Sequence, residues 1–94
     1  MNEVITHFNE QYILISDVWI ARLKVPDPDY YDTIIIGLFM PISTPSANTC
    51  FRVSMRGDDF GHAPPEWYKT KYNLICAASD EEKILLLNYK KSIK

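Results

Sequence analysis

The residues best equipped for chemistry lie in one stretch, RGDDFGHAPPEWYKTKYN, from Arg56 to Asn73. Asp58 and Asp59 stand four and three positions before His62. A histidine oriented by a carboxylate can act as a general base. That chemistry needs something to activate. No serine sits in a G-x-S-x-G elbow and no glycine-rich phosphate loop is present. The ordinary role for Asp58, Asp59 and His62 is to order a surface loop or touch a partner, and no catalytic set is expected. A metal site would need more Cys or His ligands in close spacing than Cys50, Cys76, His7 and His62 provide. Neither metal nor cofactor is expected. Arg56-Gly57-Asp58 spells an adhesion tripeptide, but three residues carry little information, and the match is read as chance.

Aromatic residues are the second resource. Prolines, then acids, then a pair of large aromatics occur twice: Pro26-Asp27-Pro28-Asp29-Tyr30-Tyr31-Asp32, and Asp58-Asp59-Phe60 leading through Pro64-Pro65-Glu66 to Trp67-Tyr68. Proline stiffens a loop and lowers the entropy lost on binding. Tyr and Trp are enriched at interface hot spots, and acids speed association with a basic partner. One aromatic of each pair should turn inward as a core anchor, namely Tyr31 and Tyr68. That leaves Tyr30 and Trp67 as contact residues. The expected docking set is Asp27, Asp29, Tyr30, Asp32, Asp58, Asp59, Phe60, His62, Glu66 and Trp67.

These residues need a scaffold. The 94 residues, 47% hydrophobic and 23% charged, suit one globular domain spanning 1–94. WIARLKV (19–25) alternates like a strand. TIIIGLFM (33–40) is apolar at nearly every position, as in a central strand covered on both faces. Gly37 within it marks a bulge or a close backbone approach. In CFRVSMRG (50–57), Phe51, Val53 and Met55 alternate with Arg52, Ser54 and Arg56, the pattern of a half-buried antiparallel strand. WYKTKYNLICAA (67–78) alternates in the same way, which puts Lys69 and Lys71 with Arg52 and Arg56 on outward strand positions. Residues 58–66 read as loop. Residues 3–15 suit a helix face or a strand equally. Residues 80–92 suit a helix or a strand by propensity, KILLLNY fitting either, but Ser79 with Glu82 forms a capping-box pattern that favours the helix. The acids Asp80, Glu81 and Glu82 and the bases Lys90, Lys91 and Lys94 complement a helix dipole. The expected fold is α+β: an antiparallel sheet of four to five strands with a C-terminal helix packed on one face. A mostly β, sandwich-like arrangement is the alternative.

Charge narrows the partners. Net charge is −2, distributed unevenly. Residues 1–49 hold two bases against six acids, a balance of −4, and residues 50–94 hold eight against six, a balance of +2. A nucleic-acid binder usually presents a strongly basic face, so nucleic acid is not the expected partner. An RNA-binding sheet would also interleave Arg52, Arg56, Lys69 and Lys71 with exposed aromatics. The opening MNEVITHFNEQ has no basic and apolar leader pattern, and no apolar run approaches the roughly 20 residues of a membrane span. A cytoplasmic protein with no membrane association is expected. Cys50 and Cys76 lie in apolar runs and should be reduced and buried.

In size, acidic front half, acidic aromatic loops (PDPDYYD and GDDFGHAPPEWY) and absence of a catalytic constellation, the chain resembles small bacterial immunity proteins of contact-dependent growth-inhibition systems. No shared motif carries site residues across. The resemblance implies a cytosolic inhibitor that binds a toxin domain, often a nuclease. A small RNA-binding or adaptor module is the alternative.

Overall fold

The computed structural model describes residues 3–88. The chain is α+β, as its pattern implies. Over the described residues its sheet has seven strands rather than four or five. The additions come from two segments whose periodicity was too short to read. Residues 3–15 form a hairpin of β1 (Val4–His7) and β2 (Glu10–Leu14). A three-residue strand, β6 (Gly61–Ala63), pairs within the stretch expected to be loop.

The hub is β4 (Thr33–Pro41), which is buried at most positions on both faces. Strand β5 (Thr49–Ser54) runs along one edge of β4 from Ile34 to Phe39, and β6 lies outside β5. The other edge is shared. Strand β3 (Trp19–Leu23) pairs with Thr33–Ile36 and β2 with Phe39–Pro41, both antiparallel. Between them Ser16 patches the ladder, its hydroxyl oxygen accepting from the Leu38 amide at 3.0 Å. Strand β7 (Tyr72–Ala77) lies outside β3.

Alternation along β4 builds two cores. Ile35 and Phe39 join Ile5, Leu14, Phe51, Val53 and Leu86 on one face. Ile34 and Ile36 join Ala21, Leu23, Cys50, Tyr68 and Tyr72 on the other. The first face is closed by α2 (Asp80–Leu87). Its capping box forms as the sequence implies: Ser79 Oγ accepts from the Glu82 amide at 3.2 Å, and Glu82 accepts from the Ser79 amide at 2.8 Å. Lys90, Lys91 and Lys94, expected to complete the helix, lie outside the described residues. Gly37 serves close approach. A Cβ there would stand 3.0 Å from Leu14 and 3.4 Å from Leu86.

The second face is covered by a helix where a strand was expected. Residues 67–78 divide into the end of α1 (Pro65–Lys71) and β7. Pro65 starts the helix at a position that needs no amide donor. Glu66 in the first turn and Lys69 and Lys71 in the last suit the dipole. Tyr68 and Tyr72, spaced by four, both turn inward. That spacing also fits alternation, which is why the segment reads as a strand. Coverage by α1 corrects the half-solvated reading of β5 as well. Ser54 is buried, Arg52 is partly buried, and Met55 lies exposed beyond the strand end.

The β1–β2 turn is strained. Phe8 and Asn9 have φ of 50° and 66°, as a two-residue type I′ connection demands, and asparagine–glycine is the preferred filling. Phe8 is 83% exposed there.

Two stability measurements follow. Leu86 is the one buried residue of α2, so Leu86→Ala should destabilise by about 2–5 kcal/mol in denaturant unfolding. A smaller loss would mean that α2 is held by other contacts. Replacing the turn by Phe8→Asn with Asn9→Gly should relieve about 1 kcal/mol of left-handed backbone cost. In calorimetry that is a Tm rise of roughly 4–8 °C.

Candidate functional site

The two proline-bearing loops meet on the α1 side of the sheet. The first is shaped by its own acids. Asp27 Oδ1 accepts from the Asp29 amide at 2.9 Å, and its carbonyl accepts from the Tyr30 amide at 3.1 Å. The Asp32 carbonyl accepts from the Leu23 amide at 2.8 Å, and its carboxylate accepts from Thr33 Oγ1 at 3.1 Å. Arg22 stands 3.7 Å from Asp32 with both side chains largely exposed, a pairing worth little.

The second loop is tied to β5. Ser54 Oγ donates to Asp58 Oδ1 at 2.6 Å, and Arg56 pairs with Asp58 at 3.3 Å. Asp59 pairs with Arg52, whose guanidinium also donates to the Asp59 carbonyl at 2.9 Å. Gly61 makes room for this, since a Cβ there would stand 2.7 Å from Arg52 Nη2. Burial works against the Arg52 charge, but Tyr68 and Asp59 outweigh it and the guanidinium is held protonated. Asp58 and Asp59 therefore order the loop rather than orient a base.

Where the loops meet is a cleft of about 260 Å³, lined by Asp29, Tyr30, Tyr31, Ile34, Arg52, Asp59, Trp67 and Tyr72. Tyr30 and Trp67 make an edge contact with centroids 5.7 Å apart. Both remain more than a third exposed. Lys71 Nζ lies 4.7 Å from the Tyr30 centroid and 5.7 Å from that of Trp67. Tyr31 is not the inward anchor the sequence suggests. It is 40% exposed, and Arg56 lies over its ring and donates to its hydroxyl at 3.1 Å. The inward role falls to Tyr72, whose hydroxyl donates to the Tyr31 carbonyl at 3.0 Å.

Of the expected contact residues, the fold brings Asp29, Tyr30, Asp59 and Trp67 to this cleft. Asp27, Asp32 and Asp58 shape its loops, and Glu66 is exposed on the first turn of α1. Phe60 and His62 are not part of it. Phe60 packs against the opposite core, and the His62 ring meets those of Phe51 and His7, tilted and edge-on, with centroids 5.3 and 5.1 Å away. The reason is register: His62 pairs with Phe51, whose side chain faces α2. Arg52 and Lys71 are residues of the cleft and its rim that the strand reading hid. A helical reading of Pro65-Glu66 through Lys69 and Lys71 would have found Lys71. Phe8 is a further exposed aromatic, on the hairpin tip, with no flanking signal in the sequence to mark it.

Beside the cleft, α1 leaves an apolar recess of about 240 Å³ lined by residues that include Trp19, Leu38, Cys50, Tyr68 and Leu74. Burial pushes the Cys50 thiol up to about 11 and the Tyr68 hydroxyl up to about 12. Cys76, expected to be buried, is exposed on β7, because that strand lies at the sheet edge. Among the described residues, no group of three or more His, Cys, Asp or Glu side chains is placed to hold a metal ion, and no helix is long and apolar enough to cross a membrane. Comparison with protein-family models, curated proteins and solved structures gave no match.

The raised pKa values set a pH dependence. Folding holds both protons more tightly than the unfolded chain, whose values are 9.0 for Cys50 and 10.0 for Tyr68. The stabilisation is complete below pH 9.0 and is lost as pH rises through about 11 and 12. Calorimetry should show an alkaline fall in Tm that starts near pH 9.0, and Cys50→Ala should delay the onset toward pH 10.0. In the native protein, a thiol reagent should modify Cys76 well before Cys50. Equal rates at the two cysteines would contradict the burial.

Proposed function

We propose that this chain is a cytosolic inhibitor of the immunity type, which neutralises a toxin domain, a nuclease being the expected kind, by docking it on the Tyr30–Trp67 cleft. The observation that carries this reading is the convergence of two segments, 26–32 and 58–67, that are distant in the chain. Each presents a part-exposed aromatic, and the two rings touch at 5.7 Å. Aromatic rings already held in place lose little conformational freedom on binding. The Asp27–Asp29 bond restrains the loop that carries Tyr30, and Trp67 is held by its place on α1. The internal pairing of Asp58 and Asp59 shifts emphasis away from them and toward the aromatics and Asp29.

The test is binding to the protein encoded by the neighbouring reading frame, with Tyr30→Ala and Trp67→Ala each measured by calorimetry. Truncating a hot-spot aromatic costs about 2 kcal/mol or more, roughly thirtyfold in affinity. Both rings are partly exposed, so both variants should fold. If both bind like the parent, the cleft is not the interface. A turnover detected in the purified protein would overturn the binding reading altogether.

A further inference from the structure

We infer that the cleft is a receptor for an arginine side chain of a protein partner, and that Lys71 occupies its aromatic faces in the free protein as an intramolecular competitor. This deepens the docking reading above and rests on it.

The argument starts with what the rings already hold. Lys71 lies over Tyr30 and Trp67, and Arg56 lies over Tyr31. Three aromatic side chains of the cleft are thus met by cations of the chain itself. The face of an aromatic ring carries the negative lobe of its quadrupole, and a cation within about 6 Å of the centroid is attracted to it. The edge-on Tyr30–Trp67 pair, with an interplanar angle of 63°, presents ring faces at an angle to one another.

Charge inside the cleft points the same way. Arg52 and Asp59 form an internal ion pair and cancel. Asp29 remains as a further carboxylate, so the lining residues alone carry a net charge of −1, with Lys71 and Arg56 set against it from the rim. A ligand with a planar cationic head satisfies both features. Its face stacks on a ring while its edge donates two parallel bonds to a carboxylate. Guanidinium does this better than ammonium, because it is flat, forked and weakly hydrated. The cleft volume of about 260 Å³ leaves room for a single side chain rather than a folded element.

Lys71 gives the inference its sign. If the cleft receives a cation, Lys71 competes with it, and removing the ammonium strengthens binding. If the cleft receives an anion, Lys71 assists, and removing it weakens binding. The two chemistries therefore predict opposite effects from one substitution.

The experiment is a titration of the ¹⁵N-labelled chain with three end-blocked peptides at matched ionic strength: Gly-Arg-Gly-Arg-Gly and its lysine and glutamate counterparts. The indole N–H signals of Trp67 and Trp19 are followed by NMR and assigned with Trp67→Phe. The arginine peptide should shift the Trp67 signal, the lysine peptide should shift it less at equal concentration, and the glutamate peptide should leave it in place. Trp19, outside the cleft lining, is the internal reference. Lys71→Met should tighten the arginine peptide by roughly two- to fivefold, the size of one exposed cation–ring contact. Tyr30→Ala should weaken it by a similar factor and guards against a Lys71→Met variant that misfolds. The inference is overturned if Lys71→Met weakens binding or leaves it unchanged, if Tyr30→Ala has no effect, or if the glutamate peptide shifts Trp67 as much as the arginine peptide. A partner that still needs Trp67 while the arginine peptide fails would leave the docking surface standing and remove only its ligand assignment.

Discussion

The whole fold turns on a single strand, Thr33–Pro41, that has to be hidden on both faces. Its Ile34, Ile35, Ile36 and Phe39 are almost wholly removed from water, and each such side chain is worth about 1.5–3 kcal/mol of burial. One layer over the sheet cannot supply that. Among the described residues, two short helices, one per face, supply the cover. An isolated helix of seven or eight residues is unstable in water. Each is held by one buried side chain: Tyr68 in the first helix and Leu86 in the second.

The Tyr30–Trp67 cleft is a by-product of that solution. Seating α1 requires Tyr68 to point into the sheet, and a helix places its next-door residue about 100° round the axis. Trp67 is thereby carried outward to the point where the 26–32 loop arrives. Tyr72 joins the two sides, as one wall of the cleft and through its bond to the Tyr31 carbonyl. Core and surface thus share residues, and the positions of the exposed rings are as fixed as the core beneath them.

How far the sequence could be read follows from the physics of each segment. The central strand was legible because a run of eight residues, apolar or β-branched at all but Gly37, can be hidden only in the middle of a sheet covered on both faces. The last helix was legible because its capping box is a local signal that is satisfied locally. The segment from Trp67 to Lys71 was not, because Tyr68 and Tyr72 serve a four-residue repeat and a two-residue repeat alike. The two aromatic loops could be picked out by composition. Their meeting could not, since it depends on Leu23 bonding Asp32 and on Tyr72 reaching Tyr31 across 41 residues of chain. Which partner each aspartate chose was also hidden. Arg52 looked solvent-facing until α1 was placed over its strand. Nothing local forecasts the contact of His62 with Phe51, because that follows from the register of a three-residue strand.

The pairing of Trp19–Leu23 with Tyr72–Ala77 joins parts of the chain far apart in sequence. During synthesis the earlier strand leaves the ribosome well before the later one exists. At about 5–20 residues per second, the roughly 50 intervening residues mean several seconds with one edge of Trp19–Leu23 open. Its inner neighbour, Thr33–Pro41, arrives early and gives it a template, so the nascent chain can hold a partial sheet with one unfinished margin. Completion by Tyr72–Ala77 closes that margin and leaves Leu74 and Ile75 outermost. Their register slip opposite Ile20 and Ala21 breaks the regularity of the new edge, which makes it a poor template for another chain. The irregular strand Tyr72–Ala77 thus replaces the regular open edge of Trp19–Leu23 as the outer margin on this side of the sheet.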